Sequence, residues 1–419
     1  MSDPTRNDVK THARPSAGES LTDHHRVVVI GGGNAGLSVA GRLRRYGVED
    51  VAVVEPRAHH LYQPMFSHVA GGTARASQAT RPQSQAMPRG VVWIQDAVET
   101  AEPENNVVIL SSGRRVTYDH LIVCPGIQKD WDRIPGLTEA MASPYGASNY
   151  EFELAKKASR LLRDFQEGTV VFTQPSGPAS CAGSAQKPMY LACDYWRAQG
   201  RLDNIRVILV MPDPTMFGIP AIDAELDRKI EEYGIEVRFE SEVLEVDAGA
   251  RTVVIGPIGT DEREEISYDL LHAVPPQSAP DWIKATTLPA ADNPLGYVEV
   301  DPETLRHARF PNVWSLGDAA ATTNSKSGGA LRKQTLVLAK NLTAVLDAKS
   351  PSTVYNGYSV CPFTVSRSTV VFAEFDDTYA QKPTIPGWKS LARERRLTWV
   401  LDRHILPWVY WNLILKGRA

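Results

Sequence analysis

The stretch RVVVIGGGNAGLSVAGRLRRYG, followed by DVAVVEP, constrains the fold more than any other part of the chain. Val27 to Ile30 is an unbroken apolar run, which predicts a strand buried on both faces. A glycine turn follows, then a helix with Leu37, Ala40 and Leu43 on one face. DVAVV is the next strand, and it ends at Glu55. Strand, glycine turn, helix, strand and acid in this order make a βαβ unit of the dinucleotide-binding kind. In the G-x-G-x-x-G frame, Gly31 makes the tight turn and Gly33 lets the backbone approach a pyrophosphate. Gly36 lets the helix pack closely on the strand. The pyrophosphate is expected at the helix N-terminus, where free N–H groups and the dipole favour anions. Glu55 is expected on the adenosine ribose hydroxyls, where its charge disfavours a 2′-phosphate.

A second motif narrows the cofactor. FPNVWSLGDAAAT is a strand running into Gly317-Asp318. In two-dinucleotide flavoproteins such an aspartate lies near the ribityl and pyrophosphate portion of FAD. The separation of the two motifs, nearly the whole chain, suits FAD rather than NAD. A third apolar strand, YDHLIVCPG, ends in a small-residue turn at Pro125-Gly126, and Gly126 is counted among the FAD contacts.

A nicotinamide site would need a second glycine fingerprint after the strand Thr169 to Thr173. The loop there, TQPSGPASCAG, has glycines at 177 and 183 without the spacing, and Pro175 and Pro178 remove N–H donors. It carries Cys181 instead. A helix expected to begin near Ser184 turns its positive end toward that thiol, and Lys187 lies one turn in. Both favour thiolate. Cys361, in YSVCPFT, is read as a loop residue before proline. Cys124 is placed in the strand LIVCPG and Cys193 on a helix, and neither is assigned a role. EYGIEVRF and SEVLEVDAGARTVVI read as strands and hairpins.

Composition excludes several classes. The balance of 45 basic and 49 acidic residues, net charge -4, gives no reason to expect nucleic acid as a partner. Four scattered cysteines without C-x-x-C spacing argue against a zinc site or a secreted disulfide framework, and no metal is expected. No apolar run approaches the ~20 residues of a membrane span. The first 25 residues are polar, with no apolar signal core, and read as a disordered arm.

The pieces VVVIGGGNAGLSVA, VEPRAHHLYQP, PGIQKDWDRIPGL, CAGSAQKPMYLACDYWR, LGDAAATTNSK, YNGYSVCP and VVFAEFD together resemble the sulfide:quinone oxidoreductases, in the branch that includes the mitochondrial enzymes. The resemblance runs from about Arg26 almost to the C-terminus. It implies bound FAD, no NADH site, and a redox pair at Cys181 and Cys361. It carries FAD contacts to Gly33, Asn34, Glu55, Gln63, Val98, Asp318 and Lys326. It also implies a route. Hydrosulfide attacks a disulfide, or a sulfur-bridged form of it, leaving a persulfide on Cys361 and a flavin-facing thiolate on Cys181. Two electrons pass to FAD and then to a membrane quinone. Sulfite, glutathione or cyanide could take the sulfane sulfur.

The expected architecture is α/β: two Rossmann-like domains of glutathione-reductase type and a C-terminal membrane-interface region. Residues 1–25 form the arm, 26–140 with 290–345 the FAD domain, and 141–289 the second domain, carrying Cys181 and no NAD site. Residues 346–419 hold Cys361 and amphipathic helices. Trp388, Trp399, Trp408, Tyr410 and Trp411 alternate there with Arg393, Arg395, Arg396, Arg403, Lys416 and Arg418, a pattern suited to a lipid interface. A monotopic protein is expected, on the cytoplasmic face of the plasma membrane if the source is bacterial, with a homo-oligomer left open. Two other readings stand beside this one: a sulfide dehydrogenase donating to cytochrome c, and a non-catalytic sulfide- or persulfide-sensing flavoprotein.

Overall fold

The computed structural model describes residues 22–384 and 392–419. Of the expected arm, residues 1–21 lie outside the described residues. Residues 22–25 are not arm but strand, the start of Thr22–Ile30. The reason is pairing: Thr22 to His25 continue the parallel ladder against Arg115 to Tyr118. The His25 ring also meets the Asp50 carboxylate at 2.6 Å, and the Arg26 N–H reaches it at 2.9 Å. Trp388 also lies outside the described residues.

Thr22–Ile30 runs through the middle of a seven-stranded sheet. It pairs in parallel with Val51–Val54 on one side and Arg115–Val123 on the other, and Val91–Ile94 extends the sheet beyond Val51–Val54. The far edge of Arg115–Val123 is shared. Val107–Leu110 takes its first half antiparallel, and Val313–Ser315 takes its last residues in parallel. The strand before Gly317-Asp318 is thereby brought beside the strand before the glycine loop. Side chains alternate across the sheet: Val27 and Val29 join Leu37, Ala40 and Leu43 in one core, Val28 and Ile30 join Leu121 and Val123 in another. Burying each such side chain stabilises by roughly 1.5–3 kcal/mol.

A second sheet has five parallel strands, in the order Gly146–Ala147, Leu270–His272, Gly168–Thr173, Ile205–Val210, Glu236–Arg238. Helix Lys187–Ala198 follows the loop that holds Cys181. The segment EYGIEVRF is only partly strand. Helix Pro220–Tyr233 ends within it, closed by Gly234 at φ 64, and the strand is confined to Glu236–Arg238. Ser241–Asp247 and Thr252–Pro257 form the expected hairpin.

The hairpin Ser359–Thr364 with Val370–Phe375 places Cys361 opposite Ala373. Cys361 is therefore a strand residue, not a loop residue. A two-stranded sheet is all edge, and an edge tolerates Pro362. Beyond it come the short helix Arg396–Val400, a π turn Leu401–Ile405 and helix Leu406–Asn412. The chain then returns to the first helix, Asn34–Arg45. A methyl group built on Gly41 would lie 2.9 Å from the nitrogen of Gly417. Among the described residues no helix is long and apolar enough to cross a membrane.

Candidate active site

The glycine loop has the steric form its spacing implies. A Cβ on Gly36 would lie 1.8 Å from the Gly31 carbonyl oxygen, and one on Gly31, at φ 102, would lie 2.4 Å from the Cys124 oxygen. Around Gly33 and Gly126 a Cβ would meet nothing within 4 Å. Close packing behind the loop and open space in front of it fit a dinucleotide phosphate. The buried Glu55 carboxylate accepts from the Gly32 N–H at 2.8 Å and from the Arg57 N–H at 2.9 Å. Burial raises this carboxyl, but the Arg57 guanidinium and the two N–H groups outweigh it and hold Glu55 below its ordinary value. It stays charged, and so able to accept from hydroxyl donors.

The second motif packs against the same loop. The Gly317 N–H donates to Gln334 at 2.9 Å. The buried Lys326 ammonium donates to the carbonyls of Asp318 and Ala320, both at 2.9 Å, and sits 3.9 Å from the Tyr297 ring centre. Burial lowers Lys326 to about 8. Gly328 joins three segments, since a methyl there would lie 3.7 Å from Pro64 and 3.8 Å from the Asn34 amide. Gln63, exposed, precedes Pro64. Val98 opens an edge strand and packs half-buried on the core behind the first sheet.

The two thiols expected to cooperate meet. Cys181 Sγ and Cys361 Sγ are 3.6 Å apart, although 180 residues separate them. Cys181 adopts a left-handed conformation, φ 50, which a non-glycine residue keeps only when its surroundings impose it. Three hydrogen bonds do so here. The Cys181 N–H donates to the Lys326 carbonyl at 2.5 Å, while its own carbonyl accepts from the Ser184 N–H at 2.7 Å and from the Tyr150 hydroxyl at 3.1 Å. Gly183 makes room for the partner, because a methyl there would lie 2.7 Å from Cys361 Sγ and 2.4 Å from the Phe363 ring.

The pair is electrically asymmetric. The Lys187 ammonium, buried, lies 3.8 Å from Cys181 Sγ and 3.3 Å from Ser184 Oγ. Donation from the Cys361 thiol lowers Cys181 most. Burial opposes this, and Lys187 and Ser184 then carry the group well below an ordinary thiol. Cys361 is raised by its bond to Cys181, by burial and by the neighbouring thiolate. Cys181 is the thiolate and Cys361 the S–H that faces it. The turn beside the thiol is shorter than expected: Ala182–Ser184 is a 3-10 turn, and the α-helix begins at Lys187. The charge of Lys187 therefore matters more here than a helix terminus. Cys124 and Cys193 are buried elsewhere and burial raises both. Cys124 lies just past its strand, Arg115–Val123. The roles of Tyr150 and Gly183 leave no mark in the sequence except that Gly183 follows Cys181 closely.

The C-terminal segment reaches the same region. His60 Nδ1 is 3.0 Å from the Gly32 carbonyl and must donate to it, leaving Nε2 to accept from the Tyr410 hydroxyl at 2.6 Å. Burial lowers His60 to about 4, in keeping with this neutral form. Tyr410, Trp411 and Leu415 are buried, whereas Leu397, Val400, Ile405 and Trp408 are exposed, Trp408 by 59%.

Residues 25–341 match the family model described as pyridine nucleotide-disulphide oxidoreductase. The chain is 36% identical to the mitochondrial sulfide:quinone oxidoreductase of Mus musculus, over 94% of the chain and 87% of that protein. It is 32% identical to the corresponding enzyme of Dictyostelium discoideum, over 94% and 86%. The crystal structure of the sulfide:quinone oxidoreductase from Aquifex aeolicus superposes with a TM-score of 0.78 at 17% identity, covering 94% of this chain and 92% of that one.

Proposed function

Because the chain belongs to the pyridine nucleotide-disulphide oxidoreductases, and within them to the sulfide:quinone oxidoreductases, we propose that Cys181 and Cys361 are the redox pair through which it oxidises sulfide. It is an FAD-dependent enzyme with quinone as acceptor. The proposed holders of FAD are Gly31, Gly33, Asn34 and Gly36 at the pyrophosphate, with Glu55 at the ribose. Gln63, Val98, Gly126, Gly317, Asp318 and Lys326 complete the set. Bound there, FAD supplies a two-electron acceptor. The open space at Gly33 and Gly126 and the charged Glu55 support this assignment.

The protein's own part is the handling of sulfur. In the oxidised enzyme the two sulfurs, 3.6 Å apart as thiols, are joined directly or through a further sulfur atom. Hydrosulfide attacks Cys361. Its sulfur bonds to Cys361 Sγ while the bond from Cys361 toward Cys181 breaks, and Cys181 leaves with the electron pair. The direction of attack follows from leaving-group strength, since the thiol of lower pKa leaves faster and Lys187 lowers Cys181. Cys361 is left as the persulfide, and a small nucleophile such as sulfite, glutathione or cyanide takes its outer sulfur.

The single observation that carries the reading is the 3.6 Å approach of an activated thiolate to a second thiol beside a buried lysine. The exposed row Leu397, Val400, Ile405 and Trp408 supports peripheral attachment to a membrane surface. Anaerobic titration with sulfide should bleach the flavin, and decylubiquinone should restore its colour. Substitution of Cys181 or Cys361 by serine should abolish the bleaching. Unchanged bleaching in both variants would sink the two-cysteine route, and reoxidation by cytochrome c alone would replace quinone as the acceptor.

A further inference from the structure

A second ionisable pair, largely screened from solvent, joins the C-terminal segment to the helix Met65–Ala70. His68 Nε2 and Asp402 Oδ2 are 2.9 Å apart, with side chains 4% and 14% exposed. His68 Nδ1 lies 2.9 Å from Thr73 Oγ1. The Thr73 hydroxyl donates its own proton to the His68 carbonyl, so Nδ1 must donate to Thr73. Nε2 faces the Asp402 carboxyl, so one proton lies between the two groups. With that proton on the ring, the pair is an imidazolium and a carboxylate. Asp402 Oδ1 has no hydrogen-bond partner among the described residues.

Three other ionisable groups interact electrostatically with Asp402. Tyr62 lies ahead of the helix Met65–Ala70 and feels the Asp402 charge. Lys187, which touches Cys181, is stabilised by it across the interface. Arg403, next in sequence, turns its guanidinium to the Thr73 carbonyl and to Gln78. Asp402 itself sits in the π turn Leu401–Ile405, an irregularity frequent at functional positions. That turn is flanked by the exposed apolar residues Val400, Ile405 and Trp408. Asp402 thus adjoins the proposed lipid-facing row in the chain and lies within electrostatic reach of the lysine that touches Cys181.

Resting on the sulfide:quinone reading above, we propose that Asp402, refilled by His68, delivers one of the two protons a quinone takes up on reduction. Reduction to the quinol requires two electrons and two protons, and the electrons come from the reduced enzyme. The Nε2 proton of His68 passes to Asp402. The Asp402 O–H bond then breaks as an O–H bond forms on the quinone, and His68 is left neutral. Water reprotonates His68 and supplies the proton for the other quinone oxygen. Asp402 is the group that touches substrate, and His68 acts through it.

The test uses the full flavin-loaded chain, reduced with dithionite so that no sulfide chemistry is involved. The reduced enzyme is mixed rapidly with decylubiquinone or with ferricyanide, which accepts electrons without protons. Asp402→Asn and His68→Gln should each slow reoxidation by decylubiquinone by roughly 10²-fold, the lower range for loss of a general acid, and leave the ferricyanide rate unchanged. Nitrogen NMR of the histidines, which reads no turnover and needs no variant, should show both His68 nitrogens protonated in the native chain. Equal slowing with both acceptors, an unchanged quinone rate, or a singly protonated His68 would overturn the proposal. A flavin that sulfide cannot bleach, together with the acceptor contrast just described, would defeat the sulfide reading and leave this one standing.

Discussion

The Tyr410 hydroxyl donates to His60 across 2.6 Å, and through that ring the C-terminal helix is bound to the carbonyl of Gly32 in the glycine loop. Tyr410→Phe leaves the buried His60 Nε2 without a partner. The expected cost is about 1–3 kcal/mol, read as a lower melting temperature. Because the loss is felt at the loop, FAD should also dissociate more readily on dilution, as followed by recovery of free-flavin fluorescence. A variant that melts lower but holds FAD as tightly would separate the helix from the loop.

Gly183→Ala is expected to act on the thiols alone. The added methyl would meet Cys361 Sγ at 2.7 Å and the Phe363 ring at 2.4 Å. Phe363 is fully buried and cannot swing aside, so the hairpin that holds Cys361 must move away. The variant should retain FAD yet show two titratable thiols where the oxidised native chain shows none from this pair. Sulfide-driven bleaching should be lost with them.

Lys187→Met removes the ammonium 3.8 Å from Cys181 Sγ. The thiolate loses its nearest cation, so its pKa rises toward that of an ordinary thiol. Alkylation of the reduced enzyme by iodoacetamide should then require higher pH. Once the thiol's pKa exceeds the working pH, each further tenfold loss of acidity should slow the reaction by up to about tenfold. Lys187→Arg keeps the charge and should recover most of the rate. An unmoved pH profile in the methionine variant would assign the activation to the Cys361 hydrogen bond by itself.

Acid should destabilise the fold through two buried rings. Burial lowers both His60 and His272 to about 4. His272 is fully buried against Phe172, its ring nitrogens unpartnered among the described residues. Unfolded histidine titrates near 6.5, so the folded chain binds fewer protons between the two values. Each ring's contribution is intact above about 6.5 and is lost as pH falls from 6.5 through 4, on the order of 1–3 kcal/mol each. His272→Leu should move the midpoint of acid unfolding to lower pH. If it moves to higher pH, the packing of the ring outweighs its titration.

Much of the cofactor half is legible in the sequence because its signals are local. The run Val27 to Ile30, the spacing of Gly31, Gly33 and Gly36, and Glu55 at the next strand end are each fixed by backbone geometry within one βαβ unit. Strand bounds are less legible where a distant partner sets them, as Arg115 to Tyr118 do for Thr22 to His25. Cys361 reads as a loop residue because proline follows it, and only the unpaired edges of a two-stranded sheet allow it to be strand. The meeting of Cys181 with Cys361 comes from family likeness, since nothing local links residues that far apart. Tyr150 and the pair His68–Asp402 are not legible at all. Their partners are a carbonyl in one case and a carboxylate 334 residues away in the other.

The contact of Gly41 with Gly417 has a consequence for how the molecule is made. The first helix is seated on a turn of chain that lies near the far end of the sequence, with the Lys416 ammonium fastened to the carbonyls of Gln85, Ala86 and Met87 beside it. A ribosome delivers the glycine loop early and its supporting turn several hundred residues later. At typical synthesis rates of roughly 5–20 residues per second, the nascent loop waits tens of seconds for that support. On the proposed placing of FAD at the glycine loop, tight cofactor retention is acquired only once that turn is made, rather than by the first βαβ unit as it emerges.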